Sequence, residues 1–161
     1  MSRKKSAFVW VIIACVLLGI GVAALYILWP QIQSHTTLHL GDGVFTTRVA
    51  KTPDERDKGL GGVHNFRSDQ ALLLVFDSDD KWSISMKDMN FPIDIVWLNS
   101  DKQVVYIVKN APPDSYPYEQ FTSKQDARYV VELPAGTVAK KSIAIGAVAS
   151  FDENNLDGVK L

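Results

Sequence analysis

One uninterrupted run dominates the first part of the chain. From Ala7 to Trp29 no residue is charged, and only Gly19 and Gly21 break the succession of apolar side chains. As a helix rising about 1.5 Å per residue, this run would reach roughly 34 Å, enough to cross a hydrocarbon layer with modest tilt. Trp10 sits near one end, and Tyr26 and Trp29 near the other, where amphipathic rings favour the interface.

After Pro30 the pattern changes to short segments. Pro30–His35 reads as a polar stem. Thr36–Leu40 and Val44–Ala50 flank Gly41-Asp42-Gly43, which predicts strand, turn, strand. Thr52, Pro53 and Glu55 then form a capping-box signature, with proline at the first helical position. Gly59, Gly61 and Gly62 end that helix after little more than one turn. Ala71–Phe76, Trp82–Lys87, Ile93–Leu98 and Gln103–Lys109 have strand length, and Asn99-Ser100-Asp101-Lys102 supplies a turn between the last two. A loop from Ala111 to Asp126 carries Pro112, Pro113 and Pro117. Tyr129–Leu133 and Ile143–Phe151 read as closing strands. Many short strands with one short helix predict a mostly-β sandwich or barrel.

Charge then sets the orientation. Arg3, Lys4 and Lys5 precede the apolar run, and the first ionised residue beyond it is Asp42. By the positive-inside rule, residues 1–6 are a cytoplasmic basic tail, 7–29 a single-pass transmembrane anchor, and the remainder lies outside. That remainder divides into a stem and first strand (30–43), a β domain (44–152) and a C-terminal tail (153–161). Two rival readings are weaker. Cleavage at Val22-Ala23-Ala24 would leave Leu25-Tyr26-Ile27-Leu28-Trp29 as a greasy new terminus. Acylation of Cys15 would be followed by fourteen further apolar residues, where a lipoprotein normally turns polar. Gly19 and Ala23 form a small-xxx-small pair, consistent with a monomer or a weak dimer.

Cys15 is the only cysteine in the 161 residues, so the exported part must be stabilised by its own core. It carries 14 basic and 18 acidic residues. That balance argues against nucleic acid and other polyanions as partners.

Charges inside apolar strands are the main chemical candidates. In Ile93-Asp94-Ile95-Val96-Trp97-Leu98 both faces are apolar, so Asp94 is expected to be at least partly buried. Glu132 shares a face with Val130. A buried, unpaired carboxylate costs several kcal/mol or takes up a proton, so each requires a cationic or hydrogen-bonding partner. Lys87, Arg56 and Arg128 are the available candidates. One reading is a polar site of Arg56, Lys87, Asp94 and Glu132; the other is a buried network that fixes strand register. Tyr116, Tyr118 and Phe121, in the proline-containing loop, either stack on a ligand or cap the core.

Other chemistries lack their signatures. There is no Gly-x-Ser-x-Gly elbow and no exported cysteine nucleophile. His35, His39 and His64 do not form a metal-ligand pattern, and Asp77-Ser78-Asp79 fails as a calcium loop because Lys81 fills the fifth position. No phosphate-cradling or dinucleotide motif occurs, so neither metal nor cofactor is expected.

Several blocks resemble one family. Val49-Ala50-x-Thr52 through Arg56-x-x-Gly59-Leu60, Leu72-Leu73-Leu74-Val75-Phe76, Met86-Lys87, Pro92-Ile93-Asp94-Ile95 and Tyr129-Val130-Val131-Glu132-Leu133-Pro134-Ala135-Gly136 are similar, in order, to the bacterial and archaeal domain of unknown function 192. Gly61 and Val63 replace its usual Met and Arg, Ser85 a usual aromatic, Asp88 a usual Asn and Ala147 a usual Asp. The resemblance implies a compact, jelly-roll-like β domain, often exported behind a signal or anchor, with no established activity. The expectation is therefore a membrane-anchored extracytoplasmic binding or accessory module for an envelope protein or small ligand. The alternative is a hydrolase-type enzyme using a carboxylate with Lys and Arg holding an anion.

Overall fold

The alternation in Thr36-Thr37-Leu38-His39-Leu40 places Thr36, Leu38 and Leu40 inside and their neighbours in solvent. It forms the first strand of a computed structural model that describes residues 35–153 and 156. The expected anchor at 7–29 lies outside the described residues. Among those residues, no helix is long and apolar enough to cross a membrane.

The elements in order are β1 (His35–Leu40), β2 (Gly43–Ala50), α1 (Pro53–Lys58), β3 (Gln70–Asp80), β4 (Ser83–Ile84), β5 (Ile93–Leu98), β6 (Val104–Ala111), a 3₁₀ turn at Pro113–Ser115, β7 (Phe121–Thr122), β8 (Ala127–Pro134) and α2 (Thr137–Lys140). Six strands form one sheet in the order β1-β2-β3-β8-β5-β6, and β4 pairs with β7 in a separate ribbon. β2 and β3 are parallel, linked by the crossover that contains α1. The other neighbouring pairs are antiparallel.

This is an open sheet and not a closed barrel or a two-sheet sandwich. The expected closing strand over Ile143–Phe151 forms turns and two isolated bridges instead. Ser150 bridges to His39 in β1, and Val148 bridges to Gln103 at the entrance to β6. Only Ala149 separates those contacts, so the sheet curls until a short strap touches both of its edges. β1 and β6 themselves do not pair.

Irregular chain covers both faces, which is why β5 is buried at every position. One face packs Leu38, Phe45, Leu73, Val96 and Val131 against α2 and the strap residues Ala149 and Phe151. The opposite face packs Leu72, Leu74, Ile95, Trp97 and Val130 against Leu60, Ile84 and Met86. That second layer contains the cleft described next.

Candidate functional site

α1 owes its position to local chemistry. The Thr52 hydroxyl accepts from the Glu55 backbone N–H at 3.2 Å, and the Glu55 carboxylate accepts from the Thr52 N–H at 2.9 Å. Backbone donors, that of Thr52 foremost, hold the Glu55 carboxyl below its ordinary pKa. The helix stops at Gly59, whose φ of +47° suits glycine alone. The turn then passes over β8, so that a Cβ on Gly59 would lie 4.0 Å from both carboxyl oxygens of Glu132.

Glu132 belongs to a row that crosses the sheet. Arg48 in β2 stands opposite Leu72 in β3, Leu72 opposite Glu132 in β8, and Glu132 opposite Ile95 in β5. Arg48 and Glu132 thus share a face and flank Leu72, with backbones about 10 Å apart at the usual strand spacing. The Arg48 guanidinium donates to the Gly59 carbonyl at 2.5 Å, tying the turn to the sheet. Burial lowers the Arg48 pKa, while Glu132 and Glu55 pull it back up.

Glu132 is only 4% exposed. Its Oε2 is one of two buried side-chain polar atoms, with Thr36 Oγ1, that lack a hydrogen-bond partner among the described residues. Burial pushes its carboxyl up to about 7, against the opposing pull of Arg48. The side chain borders a cleft of about 400 Å³ between α1, the Gly59–Gly61 turn and the segment around β4. Arg56, Lys58, Lys87, Phe76, Trp82 and Gln120 are among its other walls.

One wall is a stack. The Trp82 indole lies 4.1 Å from the Phe76 ring at an interplanar angle of 12°. The Arg56 guanidinium sits 4.9 Å from the same ring and donates to the carbonyls of Lys51 and Val75. Arg56 is thereby fixed by backbone, whereas Lys87 is exposed and unpaired among the described residues.

Of the four residues expected to form a polar site, Arg56, Lys87 and Glu132 line this one cleft, and Asp94 does not. Asp94 is fully buried on the opposite face. Its Oδ1 accepts from the Asn110 N–H at 2.9 Å, in a register shift where β6 has one extra residue opposite Asp94. Its Oδ2 accepts from the Val138 N–H at 2.8 Å. Val138 lies in the first turn of α2, whose N-cap, Gly136, offers no side-chain acceptor. Asp94 therefore caps a helix and satisfies a bulge. Arg128 pairs with Asp79 at 2.5 Å and approaches neither carboxylate. The cation that Glu132 faces is Arg48, which sequence reasoning missed because Arg48 follows Thr46 and Thr47 and lacks the apolar surround that singled out Glu132. Tyr116 and Tyr118 are 43% and 91% exposed and stand outside the cleft wall. Phe121 is in β7, paired with Ile84.

Residues 36–151 match the family model DUF192, described as Uncharacterized ACR. The chain belongs to that family. Two archaeal relatives carry the name UPF0127 protein. The one from Thermococcus gammatolerans is 30% identical over 65% of this chain and 65% of its own length; the one from Thermococcus kodakarensis is 29% identical over 65% and 63%. The chain thus spans somewhat less than two thirds of the curated relatives it matches. A solved structure from Sinorhizobium meliloti 1021, whose description proposes a transcription regulator, is 27% identical, with a TM-score of 0.66 over 73% of this chain and 92% of that one. A protein of unknown function from Novosphingobium aromaticivorans shares the fold, at 23% identity and a TM-score of 0.66 over 72% and 83%. These matches establish the DUF192 fold and assign it no reaction.

Proposed function

We propose that this DUF192 protein is a membrane-tethered extracytoplasmic binding module that takes a small ligand or an envelope component in the Glu132 cleft. The observation that carries this reading is a buried carboxyl with an unsatisfied oxygen bordering a cleft, an arrangement that costs the fold stability. The uncharged run at 7–29 behind Arg3, Lys4 and Lys5 supports the tether, which would raise the module's local concentration near a membrane partner. An acidic balance after residue 29 disfavours nucleic acid as a partner and so lends no support to the transcription-regulator role that the Sinorhizobium description gives its own protein.

The test has two arms. Alkaline extraction of membranes should leave the full chain in the pellet, and release into the supernatant would remove the tether. A thermal-shift screen of small metabolites should return compounds that stabilise the wild type and not Glu132→Gln. Compounds that stabilise both equally would place binding elsewhere.

A second reading, an extracytoplasmic hydrolase, is favoured by the Glu132 carboxyl titrating near 7, where a group can act as general acid or base. Asp94 has no part in it. Hydrolysis that survives Glu132→Gln would end that reading.

A further inference from the structure

The walls of the cleft constrain the chemistry of what fills it, and this step rests on reading the cleft as a ligand site. A volume of about 400 Å³ lies at the small end of pockets that hold organic ligands, the size of one or two rings. An apolar occupant would leave the Glu132 carboxyl unsatisfied. A simple cation would meet Arg56, Lys58 and Lys87 at the walls, against Asp57 and Glu132. A compact anion seated on the floor would be repelled by Glu132 once ionised. What remains is a molecule with hydroxyl donors for the floor, an anionic group for the lysines and a C–H face for the aromatic wall.

The wall fits that description. Phe76 stacks on the half-buried Trp82 indole, and both rings line the cleft, giving an entering ring an aromatic wall to pack against. Lys58, at the end of α1, and Lys87, in the segment after β4, reach the cleft side by side, for a Cβ on Gly61 would lie 2.9 Å from the Lys58 carbonyl and 3.4 Å from that of Lys87. Neither ammonium pairs with a carboxylate among the described residues. We propose that the Glu132 cleft binds a sugar acid, with its hydroxyls on the Glu132 carboxyl, its ring against Trp82 and its carboxylate between Lys58 and Lys87.

Arg48 from β2 acts on Glu132 directly, and the other charged groups lining the cleft are Arg56, Asp57 and Lys58 from α1 and Lys87 from the segment after β4. Hydroxyl donors favour the ionised carboxyl, so affinity should rise as pH passes upward through about 7 and then level off.

The experiment is calorimetric titration of the full chain in detergent with glucuronate, glucose, propionate and ethanolamine as probes. Glucuronate should bind at least about tenfold tighter than any of the others. Lys87→Gln, on an exposed side chain, should bring glucuronate down to the level of glucose. Glu132→Gln should weaken both sugars and flatten the pH profile, and Trp82→Phe should keep most of the binding that Trp82→Ala loses. Equal affinity for propionate and glucuronate overturns the proposal, as does a failure of glucuronate to bind. If ethanolamine or propionate binds in its place and Glu132→Gln abolishes that binding, the ligand class is wrong and the cleft remains the site. If every bound probe ignores Glu132→Gln, both readings fall.

Discussion

Asp94 and Glu132 are carboxylates in adjacent central strands, one residue apart in register, and each is almost wholly buried. They face opposite sides of the sheet and have opposite fates. Asp94 accepts two backbone N–H groups and holds a bulge and a helix start in place. Glu132 accepts none at Oε2, faces one arginine committed to a backbone carbonyl, and borders open space. Burial alone does not distinguish the two carboxylates. The number of donors aimed at each does.

The contrast is sharpest under substitution. Asp94→Asn should lose about 2–4 kcal/mol in urea unfolding, because an amide turns its NH₂ toward one of two N–H donors. A loss below about 1 kcal/mol would show that those donors do not depend on the charge. Glu132→Gln should behave in the opposite sense. The folded-state pKa of Glu132 is raised from 4.5 to about 7, so the native state binds the extra proton. Stability from this group is complete below pH 4.5 and is lost as pH rises through about 7. The variant should therefore match the wild type at pH 4 and exceed it by up to about 3 kcal/mol at pH 9. A constant difference across that range would break the comparison.

Smaller effects follow. Arg48→Met removes the bond to Gly59 and the cation that lowers the Glu132 pKa. It should lose about 1–2 kcal/mol, more at pH 9 than at pH 5, by the same unfolding measurement. Thr52→Ala removes the cap of α1, and about 1 kcal/mol of stability is expected to go with it in the same measurement, independent of pH between 6 and 9.

Local signals were legible in the sequence and distant ones were not. The capping box of α1, the β1–β2 turn and the apolar cores of β5 and β8 are fixed by neighbours a few residues away, and each appears where expected. α2 escaped notice because its cap comes from Asp94, 44 residues earlier in the chain. Period-two alternation correctly pairs Asp94 with Val96 and Glu132 with Val130 on their own strands. It cannot say that the two strands turn those pairs to opposite sides, which depends on register between segments far apart. Arg56, Lys87 and Glu132 come together for the same long-range reason: the parallel β2–β3 crossover lays α1 across the face that β8 completes.

The place of β8 in the sheet also bears on how the chain reaches this fold. It joins β3 to β5, and without it the sheet is two separate ribbons, β1-β2-β3 and β5-β6. β8 is nevertheless the last of the described strands to be synthesised. A chain emerging N-terminus first therefore carries two half-built ribbons with open hydrogen-bonding edges until Pro134 is free. Such edges recruit other chains, and non-local pairing is slow to form. The interval of greatest exposure to misassembly is set by strand order, before final stability has any say.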